Sequence, residues 1–261
     1  MEMIRRTVRK FIPYNSGIYR YASRAYNFGF VALKQGPRMA ATLDRLNYTS
    51  GGEPELLNFR GVLHPILARP GTPDSIALIT TLVREDHGYI EPEVAPLTFL
   101  DAGAYIGDSA IYFLAKYPKV SVLALEPDPT NYEVISQNLK PYGERVNLLP
   151  KALSNRTGIV RFGGEYDGAA ISDEGVEVEA TTIPELMRAA DWERINLLKM
   201  DIEGAERFVL DESADEWLPL VDFLILEIHG PEIERAVRPT LKRNGFEMEL
   251  FRTSWYCRRP K

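Results

Sequence analysis

Residues 99–113 read FLDAGAYIGDSAIYF, and the reading of this stretch decides the fold. Leu97, Phe99 and Leu100 make a short apolar run before Asp101, and Ala110, Ile111, Leu114 and Ala115 recur at helical spacing after it. The pattern predicts a strand, a tight turn and a helix. Gly103 and Gly107 lie in the turn, where glycine permits positive φ and the close approach of another group to the main chain. A ligand resting on the backbone is one use of such a turn, and a branched side chain at Gly103 is then expected to cost more binding than stability. An ordinary strand-to-helix connection has the same outline.

Downstream, strands and helices alternate. VSVLALE (120–126) predicts a second strand, and DPTNYEVISQNLK (128–140) predicts a helix capped by Asp128 with Pro129 in its first position. RVNLLP (145–150) is a third strand. An extended excursion, GIVRFGG (158–164) and VEVEATT (176–182), precedes a helix opened by a Thr182/Glu185 capping box. INLLKMD (195–201) and DFLILEIH (222–229) are continuous apolar runs of strand length, as expected for strands buried on both faces of a parallel sheet. FEMELFRTSWYCRR (246–259) reads as a terminal hairpin. The alternation predicts an α/β protein with a doubly wound, mostly parallel sheet, which takes its ligand at the carboxyl ends of the strands. Asp101, Glu126, Asp201, Glu203, Glu227 and His229 all fall at predicted strand ends.

Three regions are expected: a basic, aromatic helical arm (1–50), a lead-in of hairpin and helix (51–90), and the main domain (91–261). Residues 1–45 hold nine Lys/Arg against Glu2 and Asp44, a net +7 that leaves −13 elsewhere in a chain of net −6. Aromatics at helical spacing make a helical arm folded on its own domain the ordinary expectation; the arm also suits an anionic membrane surface, a homo-oligomer contact or a cover over the acceptor, and the dispersal of its aromatics favours the latter two over the membrane. Nucleic acid is not expected, because the remainder of the chain would repel phosphates. In the lead-in, Leu57–Phe59 and His64–Ala68 predict the hairpin, and Asp74 or Ser75 is expected to cap SIALITTLVRE. A lone cysteine, Cys257, forbids an intrachain disulfide, and no apolar run is long enough to span a bilayer. The start of the chain makes a poor signal peptide, so the cytoplasm is the expected compartment.

The turn lacks the G-x-G-x-x-G of dinucleotide sites, since Tyr105 replaces the second glycine, and Asp101 and Asp108 would repel a pyrophosphate. No P-loop is present. S-adenosylmethionine fits better, because it carries a sulfonium and an amino group, no phosphate, and a ribose whose two hydroxyls can donate to one carboxylate. Glu126, at the end of the second strand, stands where that carboxylate is needed. A nicotinamide-dependent sugar oxidoreductase and a non-catalytic binding scaffold are the alternatives.

Taken in order, FLDAGAYIGDSAIYF, ALEPDPTNYEVISQNL, KALSNRTGIVRF, LLKMDIEGAERFVL and LILEIHGPE, with ILARPGTPDS in the lead-in, resemble the FkbM family of S-adenosylmethionine-dependent methyltransferases. The resemblance covers about residues 56–250. It implies a Rossmann-like class I methyltransferase fold with a seven-stranded sheet, and O-methylation of a sugar, glycan or secondary metabolite. It further implies that Asp101, Gly103, Ala104, Tyr105, Gly107 and Asp108 form the loop about the methionine and sulfonium. Glu126 would hold the ribose, with Pro127 and Asn131 beside it, and Ala152 and Leu153 would flank the adenine, with Asp201 nearby. Tyr105 stands where the family usually has Asn.

Methyl transfer needs an acceptor hydroxyl placed behind the methyl group and a group to remove its proton. His229 is the candidate base, since an imidazole titrates near neutrality, and Asp201 and Glu203 are candidates to orient it or bind the acceptor. These three also make an O,O,N set for a divalent ion, but DIEGAE (201–206) offers no obvious spare ligand set, so no metal is assigned. His64 and His87 are expected to be bland loop residues. Tyr166, Asp167 and Asp173 in the excursion, together with the lead-in, are candidate acceptor walls.

Overall fold

The computed structural model describes residues 17–163, 170–171 and 175–260. Helices α1 (Gly17–Gln35) and α2 (Pro37–Tyr48) meet at Gly36, whose φ of 100° suits glycine. The hairpin β1 (Glu55–Leu57) and β2 (Ile66–Ala68) follows, antiparallel. Helix α3 (Asp74–Leu78) continues through a π-helical turn, Ile79–Val83. The expected cap is absent: Pro73 occupies the N-cap, and the Asp74 carboxylate instead binds Arg69, whose backbone N–H and Nε donate to Oδ2 at 2.8 and 3.0 Å.

The main domain runs β3 (Thr98–Ala102), α4 (Asp108–Lys116), β4 (Ser121–Leu125), α5 (Pro129–Leu139) and β5 (Val146–Leu149). The excursion forms β6 (Lys151–Leu153), β7 (Gly158–Gly163), β8 (Ala170–Ile171) and β9 (Val176–Thr181). Then come α6 (Ile183–Ala189), β10 (Ile195–Met200), α7 (Glu206–Val209), β11 (Val221–Glu227), α8 (Pro231–Arg243) and the hairpin β12 (Glu247–Phe251) and β13 (Ser254–Arg258). Asp128 caps α5 as expected, accepting from the Asn131 N–H at 2.9 Å. At α6, Thr182 accepts from the Glu185 N–H, while the Glu185 carboxylate accepts from the Thr181 hydroxyl at 2.8 Å.

The seven-stranded sheet has the order β12-β13-β11-β10-β3-β4-β5, parallel except at β13. This is the expected seven-stranded, mostly parallel sheet, with the C-terminal hairpin supplying its antiparallel pairings. The excursion builds a separate four-stranded sheet, β6-β9-β7-β8, which the sequence pattern did not resolve.

Alternation along the central strands divides the core in two. Phe99, Val122, Leu197 and Phe223 face one cluster, and Leu100, Leu123, Leu198 and Leu224 face the other, so both sheet faces are covered. The first cluster also contains Val31, Ala40, Leu43 and Leu46, which ties α1 and α2 into the core of the main domain. Among the described residues, no helix is long and apolar enough to cross a membrane. β3 and β10 run parallel, but the order of connection reverses between them, β4 and β5 following on one side and β11 on the other, and the crevice opens at their carboxyl ends.

Candidate active site

A cavity of about 460 Å³ lies over that crevice, walled by the ends of β3, β4, β6, β10 and β11, by α3 and by the β12–β13 turn. Gly103, Tyr105, Asp108, Glu126, Pro127, Asn131, Ala152, Leu153, Asp201 and Glu203 line it. The expected donor-binding residues are thus largely gathered in one place.

Four candidates stand back from the cavity. Asp101 is fully buried beneath the turn, where Oδ2 accepts from the Ser109 hydroxyl at 2.5 Å and Oδ1 lies 3.6 Å from Lys199 Nζ. Burial pushes its carboxyl up to about 6. Ala104 is buried in the core. A Cβ on Gly107 would come within 3.0 Å of the Ile135 side chain, so this glycine serves packing of α4 on α5. His229 lies behind Asp201 and Glu203. At Gly103, which does line the cavity, a Cβ would fall 1.8 Å from the Asp201 carbonyl oxygen. The close approach demanding glycine is therefore between two turns of this chain, which corrects the expectation that substitution would cost chiefly binding.

Tyr105 has φ of 52°, a left-handed conformation in which Asn is the commonest alternative to glycine. Its side chain compensates: the hydroxyl donates to Asp74 Oδ1 at 2.5 Å, and Arg69, bound to the same carboxylate, also donates to Asn131 Oδ1 at 2.9 Å. ILARPGTPDS (66–75) thereby fixes both the β3–α4 turn and the start of α5. The Tyr105 N–H donates to Glu126 Oε2 at 2.7 Å and the Asp128 N–H to Oε1 at 2.9 Å, so the carboxylate is held in one orientation. Burial pushes Glu126 up to about 8 against these bonds. Asp108, also buried, accepts from the Thr81 hydroxyl at 2.6 Å and is likewise raised by burial.

Lys199 was not anticipated, although a lysine inside a doubly buried strand is a legible signal. Opposite Asp101 in the sheet register, it donates to the Gly103 carbonyl at 3.0 Å and lies 3.5 Å from Asp201 Oδ2. It lines the cavity, with burial opposing its charge and Asp201 and Asp101 sustaining it. His87 is no bland loop residue either: it faces the cavity, rests on Phe113, and is held near 3 by burial and then by Lys199, hence neutral. Arg252, at φ 60° in the β12–β13 turn, donates to Asp86 at 3.1 Å, and Arg84 binds the same carboxylate. No local pattern marks Arg252; only the fold brings it to the cavity.

His229 Nε2 lies 3.2 Å from Glu203 Oε2 and 3.6 Å from Asp201 Oδ1, while Nδ1 lies 2.9 Å from Oε1 of the fully buried Glu206. Burial opposes the imidazole's charge, but Glu203, Glu206 and Asp201 outweigh it and hold the ring up to about 10. Its lone pair is then occupied near neutral pH, which corrects its expected role as the free base. Tyr166, Asp167 and Asp173 lie outside the described residues.

Residues 101–248 match the model of the methyltransferase FkbM domain, which spans more than half of the chain. The chain belongs to the FkbM methyltransferase family. Methyltransferase sdnD of Sordaria araneosa is 29% identical over 214 residues, covering 65% of this chain and 82% of its own. Hexuronic acid methyltransferase AglP of Haloferax volcanii is 29% identical over 155 residues, covering 58% and 63%. The 2-O-methyltransferase NoeI of Sinorhizobium fredii is 28% identical over 163 residues, covering 54% and 66%. A methyltransferase domain with its cavity at the sheet's switch point is therefore the frame for the chemistry.

Proposed function

We propose that the cavity binds S-adenosylmethionine and that this FkbM methyltransferase methylates a hydroxyl of a sugar or glycan. The observation that carries the reading is Glu126: a buried carboxylate at the end of β4, pinned by two backbone N–H groups, facing the cavity with lone pairs to spare. Such a group suits two ribose hydroxyls. Asp108, buried in the first turn of α4 and lining the cavity, opposes a pyrophosphate at that helix start and favours a donor without phosphate. Gly103, Tyr105, Pro127, Asn131, Ala152 and Leu153 would complete the donor's surroundings.

When bound, S-adenosylmethionine supplies an activated methyl group on a positively charged sulfur. Asp201 and Glu203, facing the cavity, would accept a hydrogen bond from the acceptor hydroxyl, and one of the two carboxylates would take its proton as that oxygen receives the methyl group. His229 holds these two carboxylates in position, and Glu206 holds His229. Arg84, Lys151 and Arg252 line the same cavity and offer donors to a polyhydroxylated or acidic acceptor. The names of the hexuronic acid and 2-O-methyltransferase relatives support a sugar and an oxygen acceptor.

Calorimetry with S-adenosylmethionine and with NAD, followed by transfer of a labelled methyl group to a panel of sugars and sugar acids, tests the proposal. Binding of the first cofactor alone and label in an alkali-stable methyl ether support it. Tight NAD binding, or failure to bind S-adenosylmethionine by the folded chain, overturns it.

A further inference from the structure

The cluster behind the acceptor wall carries one more assignment. Asp201 directly follows β10, Glu203 lies in the same loop, and His229 follows β11, so three donors from the loops after two adjacent parallel strands converge. Donors about 2.1 Å from one octahedral ion stand about 3 Å apart when adjacent and about 4 Å apart when opposite. Here Nε2 is 3.2 Å from Glu203 Oε2 and 3.6 Å from Asp201 Oδ1, and all three donor atoms lie within 4.8 Å of one another.

Glu206 supplies an independent observation. It is fully buried, its Oε1 contacts His229 Nδ1 at 2.9 Å, and its Oε2 has no hydrogen-bond partner among the described residues. A carboxylate on Nδ1 is the outer support usual for a metal-ligating histidine, because it keeps a proton on Nδ1 while an entering cation displaces the Nε2 proton. The local charge agrees, since Asp101, Asp201, Glu203, Glu206 and Glu227 are gathered about Lys199 and His229.

We propose that Asp201, Glu203 and His229 form a binding site for one divalent cation of the Mn²⁺ or Mg²⁺ class, with Glu206 as the positioning residue. Two carboxylates and one imidazole suit Mn²⁺ best, with Mg²⁺ weaker. Asp201 and Glu203 also line the cavity, so the ion keeps open positions toward it for water or for oxygens of the acceptor. The inference rests on the proposed function and refines it: each carboxylate gives one oxygen to the ion, and the second Glu203 oxygen is left for the acceptor proton.

The test is a titration of the full chain with Mn²⁺ alone, without donor or acceptor, followed by the loss of the free aqueous Mn²⁺ signal in electron paramagnetic resonance. One Mn²⁺ bound per chain is expected, weakened at least tenfold by Glu203→Gln and by His229→Gln. Glu206→Gln should weaken it by about 10- to 100-fold, the usual cost of losing an outer-shell partner. Glu203 lies in a partly exposed loop, so its variant remains informative if the His229 variant does not fold. An undiminished free signal with the folded chain, or wild-type affinity in folded Glu203→Gln, overturns the proposal. Donor calorimetry in chelator separates the two readings: donor binding without Mn²⁺ binding removes only the metal, and Mn²⁺ binding without donor binding removes only the donor assignment.

Discussion

At the residue scale, Glu126 is where burial and ligand chemistry oppose each other. Its carboxyl is raised to about 8 because the ionised form is desolvated, whereas two ribose hydroxyls donating to it would favour that ionised form. Donor binding near pH 7 should therefore release a proton, and affinity should rise with pH toward about 8 and level off above it. Calorimetry in two buffers of different ionisation enthalpy checks the proton count, and Glu126→Gln should remove it. Glu126→Ala should weaken donor binding by about 1 to 3 kcal/mol, the cost of losing charge-assisted acceptors. Gly103 makes the contrasting case. Because its Cβ position lies 1.8 Å from the Asp201 carbonyl oxygen and its φ is 78°, Gly103→Ala must part the two turns at the centre of the sheet. Denaturant unfolding should register a loss of about 2 kcal/mol or more, in the range of other backbone clashes at strained positions.

At the scale of elements, α1 and α2 are part of the fold. Leu43 and Leu46 are fully buried in the same cluster as Phe99 and Phe113, and the Arg24 guanidinium donates to both oxygens of Asp44 across the pair. Leu43→Ala should cost about 2 to 5 kcal/mol, as buried leucine truncations do, and urea unfolding would read it. An unchanged midpoint would mean that the helices are a detachable arm. Their amphipathic, aromatic character made packing on their own domain the ordinary expectation, ahead of a membrane or a second subunit, but which residues they meet depends on contacts distant in sequence. The lead-in is similar. Asp74 has the composition of a helix cap, yet Arg69 and Tyr105 claim its carboxylate, because bidentate, charge-assisted bonds in a buried setting outweigh a cap exposed to water.

At the scale of the molecule, the cavity takes walls from both halves of the sheet, from the lead-in and from the C-terminal hairpin, so a ligand that fills it links them all. S-adenosylmethionine at 100 times its Kd should stabilise the chain by about 2.7 kcal/mol by mass action, visible as a raised thermal midpoint, while NAD should leave the midpoint unchanged. What the sequence determined by itself follows local periodicity: the alternating strands and helices, the Asp128 cap, the terminal hairpin, and the row of acids that parallel strands must bring to one edge. What only the tertiary structure decided depends on side chains meeting across the chain. Lys199 finds Asp101 through a strand pairing nearly a hundred residues apart in sequence, and Arg252 reaches the cavity from a turn with no motif of its own. His229 changes most: an imidazole in a sequence titrates near neutrality, but one enclosed by Asp201, Glu203 and Glu206 is a cation or a ligand to one, because the field of three carboxylates is a property of the fold and not of any segment.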